Sequence, residues 1–154
     1  MESNDELVDY LVERDYIKSD KVEEAFRKVD RVRFVNPEYR EQAYYDRALP
    51  IAGEATISAP HMVAENTELL EIESDSRVLE IGSGSGYQVA ILAELTDKEV
   101  VSVEVIEELV RKSKDRLREK ENITIHHGNG FGPVEGDFDR ILYSCAIDSF
   151  EDAK

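Results

Sequence analysis

Short apolar runs alternate with helical patterns from residue 77 onward, and few folds accommodate such a chain. RVLEI predicts a strand, GSGSGY a glycine-rich turn, QVAILAEL a helix and EVVSVEV the next strand. A helix with Ile106, Leu109, Val110 and Leu117 on one face follows, and NITIHH and FDRILYSCAI predict a third and a fourth strand. Strands and helices in this alternation form parallel βαβ units with right-handed crossovers. The sequence therefore predicts an α/β fold with a doubly wound, mostly parallel sheet.

The first 72 residues predict a helical layer that packs on this sheet. Asn4 or Asp5 is expected to cap a first helix, and Ser19 or Asp20 a second. A third helix is expected to begin at Pro60, since proline is favourable in a first turn, and to end near residue 72. The side chains predicted to face the core from these helices are Leu7, Val8, Leu11, Val12, Val22, Ala25, Phe26, Val29, Met62, Val63, Leu69 and Leu70.

Residues 31–58 lack a steady period and are interrupted by two prolines and a glycine. Long ordered loops in compact domains often carry function. We predict one domain over residues 1–154. Within it, residues 1–72 are expected to supply the N-terminal helices and a functional loop, and residues 77–154 the βα units.

Acidic residues outnumber basic ones by 35 to 19, which gives a formal net charge of −16. Such a surface repels nucleic acid backbones and anionic lipid, so neither nucleic acid nor a membrane is a predicted partner. Solubility, for example in a salt-rich cytoplasm, explains the charge equally well. The N-terminus lacks an apolar run, no stretch reaches the roughly 20 apolar residues of a membrane helix, and a single cysteine excludes an internal disulfide. The expected location is the cytoplasm.

The turn after the first predicted strand of the sheet combines glycines with a carboxylate. Gly82, Gly84 and Gly86 follow a G-x-G-x-G spacing, whereas the dinucleotide fingerprint is G-x-G-x-x-G. Glu80 precedes the first glycine by two residues, and an anion there opposes a pyrophosphate but suits a cationic ligand. S-adenosyl-L-methionine is such a ligand, because it carries a sulfonium and an ammonium group. A glycine-rich turn alone also fits a plain strand-to-helix connection.

Two further strand ends carry groups that suit the rest of that molecule. Glu104 ends the second predicted strand, and a carboxylate can accept hydrogen bonds from two ribose hydroxyls. Asn129 follows the third strand between two glycines and can hydrogen-bond an adenine edge. Because ligands of doubly wound sheets bind at the carboxyl ends of the strands, the sequence predicts one site for an amino-acid head, a ribose and a base.

The chain from about Arg33 to Ala146 resembles the class I S-adenosylmethionine-dependent methyltransferases, and more narrowly the protein L-isoaspartate O-methyltransferase family. The motifs that carry the narrower resemblance are AYYD from Ala43, LPI from Leu49 and ATISAPHMV from Ala55, and VLEIGSGSGYQVAILAEL and GDFDRILYSCA fit the same family. The resemblance implies a Rossmann-like fold and methyl transfer from S-adenosyl-L-methionine to the carboxylate of L-isoaspartyl residues in damaged proteins. The implied partners are isoaspartyl-containing proteins or peptides. The resemblance also implies that residues 1–154 form one methyltransferase-like domain, with the active-site loop within residues 1–72 and the cofactor-binding βα units in residues 77–154.

The resemblance also assigns residues to the site. In the family the Thr-Ile-Ser segment borders the active site, so Ser58 is the expected catalytic residue, as a hydrogen-bond donor and not as a nucleophile. Glu80 is expected to be the acid near the methionine part, and Glu104 the ribose acid. The full set expected to bind the cofactor is Thr56, Ile57, Glu80, Gly82, Ser83, Gly84, Gly86, Tyr87, Glu104, Val105, Asn129 and Gly130.

The chain departs from the family pattern at several points. Asn129 stands where the family usually has aspartate, Glu54 stands near a common glutamine, and the run SCA near the fourth strand replaces Thr-Ala-Ala. The sequence ends at Lys154, so the C-terminal strands of the family are missing and the fourth predicted strand would form an exposed apolar edge. Three explanations are compatible with an end at Lys154. The sequence is a fragment, or another chain or segment covers the edge, or a shortened fold has adapted to it.

Three other functions remain open on the sequence. A truncated or degenerate homologue would bind the cofactor or a partner chain without catalysis, and Asn129 and the short C-terminus favour it. A methyltransferase for another small acceptor is a further alternative. A nicotinamide dehydrogenase ranks last, because the glycine spacing and Glu80 disfavour a pyrophosphate.

Several single residues have plain structural interpretations. His61 is expected on a helix face, and His126 and His127 are too few for a metal site, so no metal is predicted. Cys145 is expected to be a small buried residue. Tyr44 and Tyr45 either wall the site or pack, and Asp46 is supported only by its motif.

Overall fold

The computed structural model describes residues 1–132 and 134–146. The helices are α1 (Asn4–Glu13), α2 (Asp20–Lys28), α3 (Pro60–Leu69), α4 (Tyr87–Leu95) and α5 (Glu107–Arg116). The strands are β1 (Leu49–Pro50), β2 (Thr56–Ile57), β3 (Val78–Ile81), β4 (Val100–Glu104), β5 (Ile123–His127) and β6 (Arg140–Tyr143). Two short 3-10 helices, Arg31–Phe34 and Pro37–Gln42, connect α2 to β1. Among the described residues, no helix has both the length and the apolar character required to traverse a bilayer.

The central sheet has the order β5-β4-β3-β6, and all three pairings are parallel. The chain moves outward from β3 to β5 and then returns to place β6 on the other side of β3. This reversal is the switch point of a doubly wound sheet, where the carboxyl ends of the strands open into a crevice. The predicted α/β class with a parallel sheet and an N-terminal helical layer is confirmed.

The helical layer and one face of the sheet share a continuous apolar core. Helix α2 packs against α1, α3 and α4, and the buried cluster extends from Leu7 through Phe26 and Ile91 to Val100. Helix α4 is buried along most of its length, since its sequence YQVAILAEL presents apolar side chains in almost every direction. The other face of the sheet buries a smaller cluster, which consists of Leu79, Ile81, Val101 and Val103.

The predicted helix starts and faces need three corrections. The N-cap of α1 is Ser3, whose Oγ accepts a hydrogen bond from Glu6 N, and neither Asn4 nor Asp5 takes this role. Helix α3 ends at Leu69, because Glu71 adopts a left-handed φ of 46°. Met62 is 44% exposed and Leu69 81% exposed, since α3 packs through a different stripe. The buried residues of α3 are Pro60, Val63, Ala64 and Thr67.

The fourth predicted strand is shorter than its apolar run. In the sheet formed by residues 1–132 and 134–146, β6 is an edge strand, and Ile141 is 51% exposed. Cys145, expected to be buried, is exposed, because it follows the end of β6 at this edge. The last residue of the predicted run, Ile147, lies outside the described residues.

Candidate functional site

The carboxyl ends of β3, β4 and β5 meet as the sequence predicted. Gly82 N donates to Val103 O at 2.7 Å, which joins the start of the glycine loop to β4. Gly128 N donates to the backbone oxygen of Glu104 at 3.0 Å, which joins the segment after β5 to the same strand. The three strand ends therefore form one continuous edge.

The glycine loop between β3 and α4 depends on backbone conformations that favour glycine. Gly82, Gly84 and Gly86 have φ values of 97°, 52° and 88°. Helix α5 holds the carbonyl side of the loop, since Ser113 Oγ donates to Gly84 O at 3.0 Å and Arg116 Nη1 donates to Ser85 O at 3.0 Å. The loop is thus anchored by a helix that the sequence analysis did not connect with the site.

Glu104 closes the other side of the loop. Its Oε2 accepts from Gly84 N at 2.9 Å and its Oε1 accepts from Ile106 N at 2.9 Å, while the residue is only 6% exposed. A carboxylate has about four lone-pair sites, so two remain for other donors. The geometry suits an acceptor for a pair of ligand hydroxyls beside the glycine loop.

Glu80 lies deeper than the sequence indicated. The residue is 0% exposed, and its carboxylate accepts from Ser144 Oγ at 2.8 Å and Ser102 Oγ at 3.1 Å. Burial raises the pKa of Glu80 to about 7; the two serine hydrogen bonds oppose this rise and the charge of Glu104 adds to it. The carboxylate therefore lies behind the loop and not on its surface. Neither serine was predicted to be at the site, although Ser102 is the register partner of Glu80 in β4.

The segment after β5 supplies an exposed polar group and a close backbone approach. Asn129 is exposed, and its Oδ1 accepts from Phe131 N at 3.0 Å, which leaves the side-chain amide N–H groups free to face a ligand. Val105, directly after Glu104, is 65% exposed on the same edge. A Cβ atom on Gly130 would lie 2.2 Å from Cγ2 of Ile81 at the end of β3, so only glycine fits there.

Gly130→Ala is expected to lower the free energy of unfolding by about 2 kcal/mol, because the new methyl group overlaps a branched side chain in a packed strand. Gly128→Ala is the matched control, since in the described ranges no atom beyond its two chain neighbours lies within 4 Å of a Cβ atom at Gly128. We expect the control to remain within about 1 kcal/mol of the wild type. Urea unfolding of the three proteins checks this, and equal stability of both variants would contradict the close approach.

The Thr-Ile-Ser segment reaches the glycine loop through a two-stranded hairpin. Strand β2 pairs antiparallel with β1, so that Thr56 and Ser58 are exposed while Ile57 between them is buried. Cδ1 of Ile51, in the turn of this hairpin, lies 3.5 Å from the position of a Cβ atom at Gly84. The structure thus brings the hairpin that carries Thr56 and Ser58 to the edge where the strand ends meet.

Tyr87 and Ser83 differ from the sequence picture. The Tyr87 ring is 1% exposed and packs among Phe26, Phe34 and Arg31 in the helical layer, so only its backbone borders the loop. Ser83 is 4% exposed, and its Oγ is buried without a hydrogen-bond partner among the described residues. Because buried hydroxyls are normally hydrogen-bonded, a ligand or a water molecule is expected to bond to this one.

Asp46 and His61 form a contact that the sequence analysis missed. Oδ1 of Asp46 accepts from the backbone N of His61 at 3.0 Å and lies 2.8 Å from its Nδ1. His61 stands in the first turn of α3, three residues after Ser58, and its ring packs against Tyr16. The AYYD motif thus fixes the helix that follows the Thr-Ile-Ser segment, and sequence spacing alone does not reveal such a pairing.

A separate cleft of about 370 Å³ lies between α5 and β5. It is lined by Lys114, Leu117, Arg118, Lys120, Ile123, Thr124, Ile125 and His126. None of the sequence-predicted site residues contributes to it. We therefore place the candidate site at the strand ends, where the Ser83 hydroxyl is unsatisfied within the described residues, and not in this cleft.

The arrangement at the strand ends fits S-adenosyl-L-methionine. Gly82 to Gly86 allow close backbone approach, Glu104 offers two free acceptor sites, and Asn129 offers amide donors. Glu80 contributes a buried carboxylate behind the loop, where a nearby cation would favour its ionised form. These features suit the amino acid, ribose and base portions of the molecule in the order of the strands.

Comparison with known proteins agrees with this geometry. The family model for protein-L-isoaspartate(D-aspartate) O-methyltransferase matches residues 2–152. The protein-L-isoaspartate O-methyltransferase of Pyrobaculum neutrophilum is 42% identical over 147 residues, which cover 91% of this chain and 71% of that protein. The enzyme of the same name from Vibrio atlanticus is 44% identical over 151 residues, which cover 96% and 72%.

A solved structure shows the same fold. It is described as a protein-L-isoaspartate O-methyltransferase from Plasmodium falciparum in complex with S-adenosyl-L-homocysteine, and it superposes with a TM-score of 0.84 at 26% identity. The match covers 97% of this chain and 76% of that one. From the glycine loop, the strand-end carboxylates and these relatives, we conclude that the chain belongs to the protein-L-isoaspartate(D-aspartate) O-methyltransferase family.

Proposed function

We propose that this protein transfers the methyl group of S-adenosyl-L-methionine to the carboxylate of L-isoaspartyl residues in damaged proteins, as a repair enzyme. The observation that carries the proposal is the junction of Glu104 with the glycine loop at Gly84, next to the hairpin that bears Ser58. The names of the relatives support the acceptor, and the complex of the Plasmodium falciparum protein with S-adenosyl-L-homocysteine supports the cofactor.

The cofactor would be held by the three strand ends. Glu104 accepts from its ribose hydroxyls, the amide of Asn129 faces its base, and Val105 and Gly130 border that base. The glycine loop, with Ser83, contacts the amino-acid part, and Glu80 acts on it from behind the loop through its charge. Tyr87 contributes through its backbone. When bound, S-adenosyl-L-methionine supplies an electrophilic methyl group on its sulfonium.

The acceptor side would be formed by the hairpin and its neighbours. Thr56 and Ser58 point outward from β2, and the Ser58 hydroxyl donates to the substrate carboxylate. The backbone N–H groups of this segment help to offset the repulsion between the acidic substrate and a protein with a charge of −16. Ile57 anchors the strand by burying its side chain, which is 3% exposed.

No general base is needed for this reaction. A carboxylate with a reference pKa of about 4 is already ionised near neutral pH and can attack directly. What the protein must supply is alignment, with the attacking oxygen, the methyl carbon and the sulfur in line and the oxygen about 3 Å from the carbon. The absence of a proton-transfer step makes the relative placement of the hairpin and the glycine loop the main catalytic task.

The test is methyl transfer to a synthetic isoaspartyl peptide, with the normal aspartyl peptide of the same sequence as the control. We expect radiolabel from S-adenosyl-L-methionine to enter the isoaspartyl peptide as a base-labile ester and the control not at all. Titration with S-adenosyl-L-homocysteine measures cofactor binding separately. Binding without transfer would identify a non-catalytic homologue, and transfer to neither peptide but to another small acceptor would identify a different methyltransferase.

Three further parts of the proposal extend beyond the site. We infer that residues 1–154 act as one methyltransferase-like domain. We also infer that a further segment or a partner chain covers the β6 edge, because Ile141 is 51% exposed there and the relatives are longer than the matched stretch. A cytoplasmic location, without nucleic acid or membrane partners, stays a prediction of the sequence.

A further inference from the structure

A buried arginine lies between the two halves of the proposed site. Arg31, in the first 3-10 helix, is 0% exposed, and its Cζ lies 5.1 Å from the centre of the Tyr87 ring. Tyr87 is the first residue of α4 and directly follows the last glycine of the loop. The ring is further enclosed by Phe26 and Phe34, at centroid distances of 6.2 Å and 5.5 Å. The cofactor side of the site is thus attached to Arg31 through one enclosed aromatic ring.

The same guanidinium holds the segment that contains the AYYD motif. Arg31 Nε donates to Ala43 O at 3.0 Å, and Nη2 donates to Arg47 O at 3.2 Å, so the fork brackets residues 43–47. None of the ion pairs in residues 1–132 and 134–146 includes this group. Burial lowers the pKa of Arg31, which the nearby Tyr87 and the charge of Asp46 oppose.

Stability alone does not explain a buried cation of this kind. A charged group that leaves water without a carboxylate partner is costly, and apolar replacements of buried ionic groups are often neutral or stabilising. Nη1 of Arg31 finds no hydrogen-bond partner among the residues that the structure describes, which adds to the cost. The two carbonyl bonds and the ring contact each connect different parts of the chain. A role in holding those parts together is therefore the more direct explanation.

The bracketed segment leads to the acceptor hairpin. Asp46, between the two bonded carbonyls, binds the backbone N and the Nδ1 of His61 at 3.0 Å and 2.8 Å. His61 begins α3 three residues after Ser58. A continuous series of contacts therefore runs from Tyr87 through Arg31 and Asp46 to His61, and so from the glycine loop to the Thr-Ile-Ser segment.

We propose that Arg31 is a positioning residue that keeps the acceptor segment, residues 43–61, in register with the glycine loop. The expected effect of Arg31 on the rate rests on the proposed function. In-line attack requires the acceptor oxygen to lie about 3 Å from the methyl carbon, and a displacement of about 1 Å can lower the rate about 100-fold. The two sides of the site come from distant parts of the chain, and Arg31 contacts both. Loss of its planar fork loosens the acceptor segment without removing any group that touches the cofactor.

Arg31→Lys tests this, because lysine keeps the charge but lacks the planar fork that reaches the two carbonyls from separate nitrogens and packs on the Tyr87 ring. At a temperature well below unfolding, we expect kcat for the isoaspartyl peptide to fall about tenfold or more while the affinity for S-adenosyl-L-homocysteine changes less than threefold. We also expect the His61 amide to exchange its hydrogen at least tenfold faster, measured by NMR. A residue with a purely structural role would lower the unfolding temperature and leave kcat unchanged, and it would speed amide exchange throughout the core instead of selectively at His61.

Arg27→Lys is the matched control. Arg27 is in the neighbouring helix α2, and its ion pairs within the described part of the chain are with the carboxylates of Asp5, Asp9 and Glu23. We expect wild-type kcat and exchange for this variant. If Arg31→Lys does not fold, Asp46→Ala removes the acceptor of both His61 bonds at the other end of the series, and the same loss of kcat is expected.

The outcomes separate the two proposals. A folded Arg31→Lys protein with kcat within twofold of the control and unchanged His61 exchange overturns the positioning role, and a folded Asp46→Ala protein with wild-type kcat does the same. If the wild type methylates no isoaspartyl peptide, the proposed function fails. In that case the faster His61 exchange in Arg31→Lys, and not in Arg27→Lys, still decides whether Arg31 links the segments.

Discussion

Replacement of Glu104 by glutamine is expected to weaken the binding of S-adenosyl-L-homocysteine by about 100-fold, equivalent to about 3 kcal/mol. The Glu104 carboxylate already accepts from the backbone N of Gly84 and of Ile106, and under the proposed function its two remaining lone-pair sites accept from the ribose hydroxyls. In glutamine one oxygen becomes an NH2 group, which donates and cannot accept. A donor then faces a backbone N–H, and acceptors for the ribose hydroxyls are lost.

Isothermal titration at fixed salt measures this effect. Glu107→Gln is the matched control, since Glu107 is exposed in the first turn of α5 and the substitution changes the net charge by the same amount. We expect the control to bind as the wild type does. Glu104→Gln protein that binds within threefold of the wild type would show that Glu104 does not hold the cofactor.

Glu80→Gln is expected to stabilise the protein at alkaline pH. Burial raises the pKa of Glu80 to about 7 from a usual value of 4.5, so the folded state binds a proton more tightly than the unfolded state does. The stability from this group is present below pH 4.5 and is lost as the pH rises through 7. Glutamine mimics the protonated acid at every pH. The variant should therefore exceed the wild type in free energy of unfolding by about 3 kcal/mol at pH 8 and by less than about 1 kcal/mol at pH 5.

Urea unfolding at the two pH values checks the expected difference, with Glu107→Gln again as the exposed control. A Glu80→Gln protein that is no more stable than the wild type at pH 8 would contradict the buried ionisation of Glu80. We expect the stabilised variant to bind S-adenosyl-L-methionine more weakly, because it lacks the negative charge behind the loop. Such an exchange of stability for ligand affinity is common at functional sites.

The elements that the sequence predicted well are those with strong local signals. Strands β3, β4 and β5 are short segments rich in Val, Ile and Leu, helix α4 is apolar along most of its length, and helix α5 has a clear helical period. The glycines mark the turn between β3 and α4. Because these elements alternate along the chain, their parallel pairing follows from general rules of connection. The meeting of Glu104 with the loop at Gly84 was predictable for the same reason.

Exposure was the property that local patterns predicted poorly. Met62 and Leu69 are apolar but exposed, since α3 packs through Val63 and Ala64 instead. Which stripe of a short helix is buried depends on its neighbours, and hydropathy alone does not identify them. Cys145 is exposed for a similar reason, because it follows the edge strand.

The sequence alone determined the order of strands and helices, the position of the glycine loop and the carboxylates at the strand ends, since each depends on residues close together in the chain. Only the tertiary structure decided that the Glu80 carboxylate is fully buried between Ser102 and Ser144. The same holds for Arg31, which contacts Tyr87 across 56 positions of the sequence. The physical reason is that burial and long-range hydrogen bonds are set by packing between distant segments, for which no single stretch of sequence carries a signal.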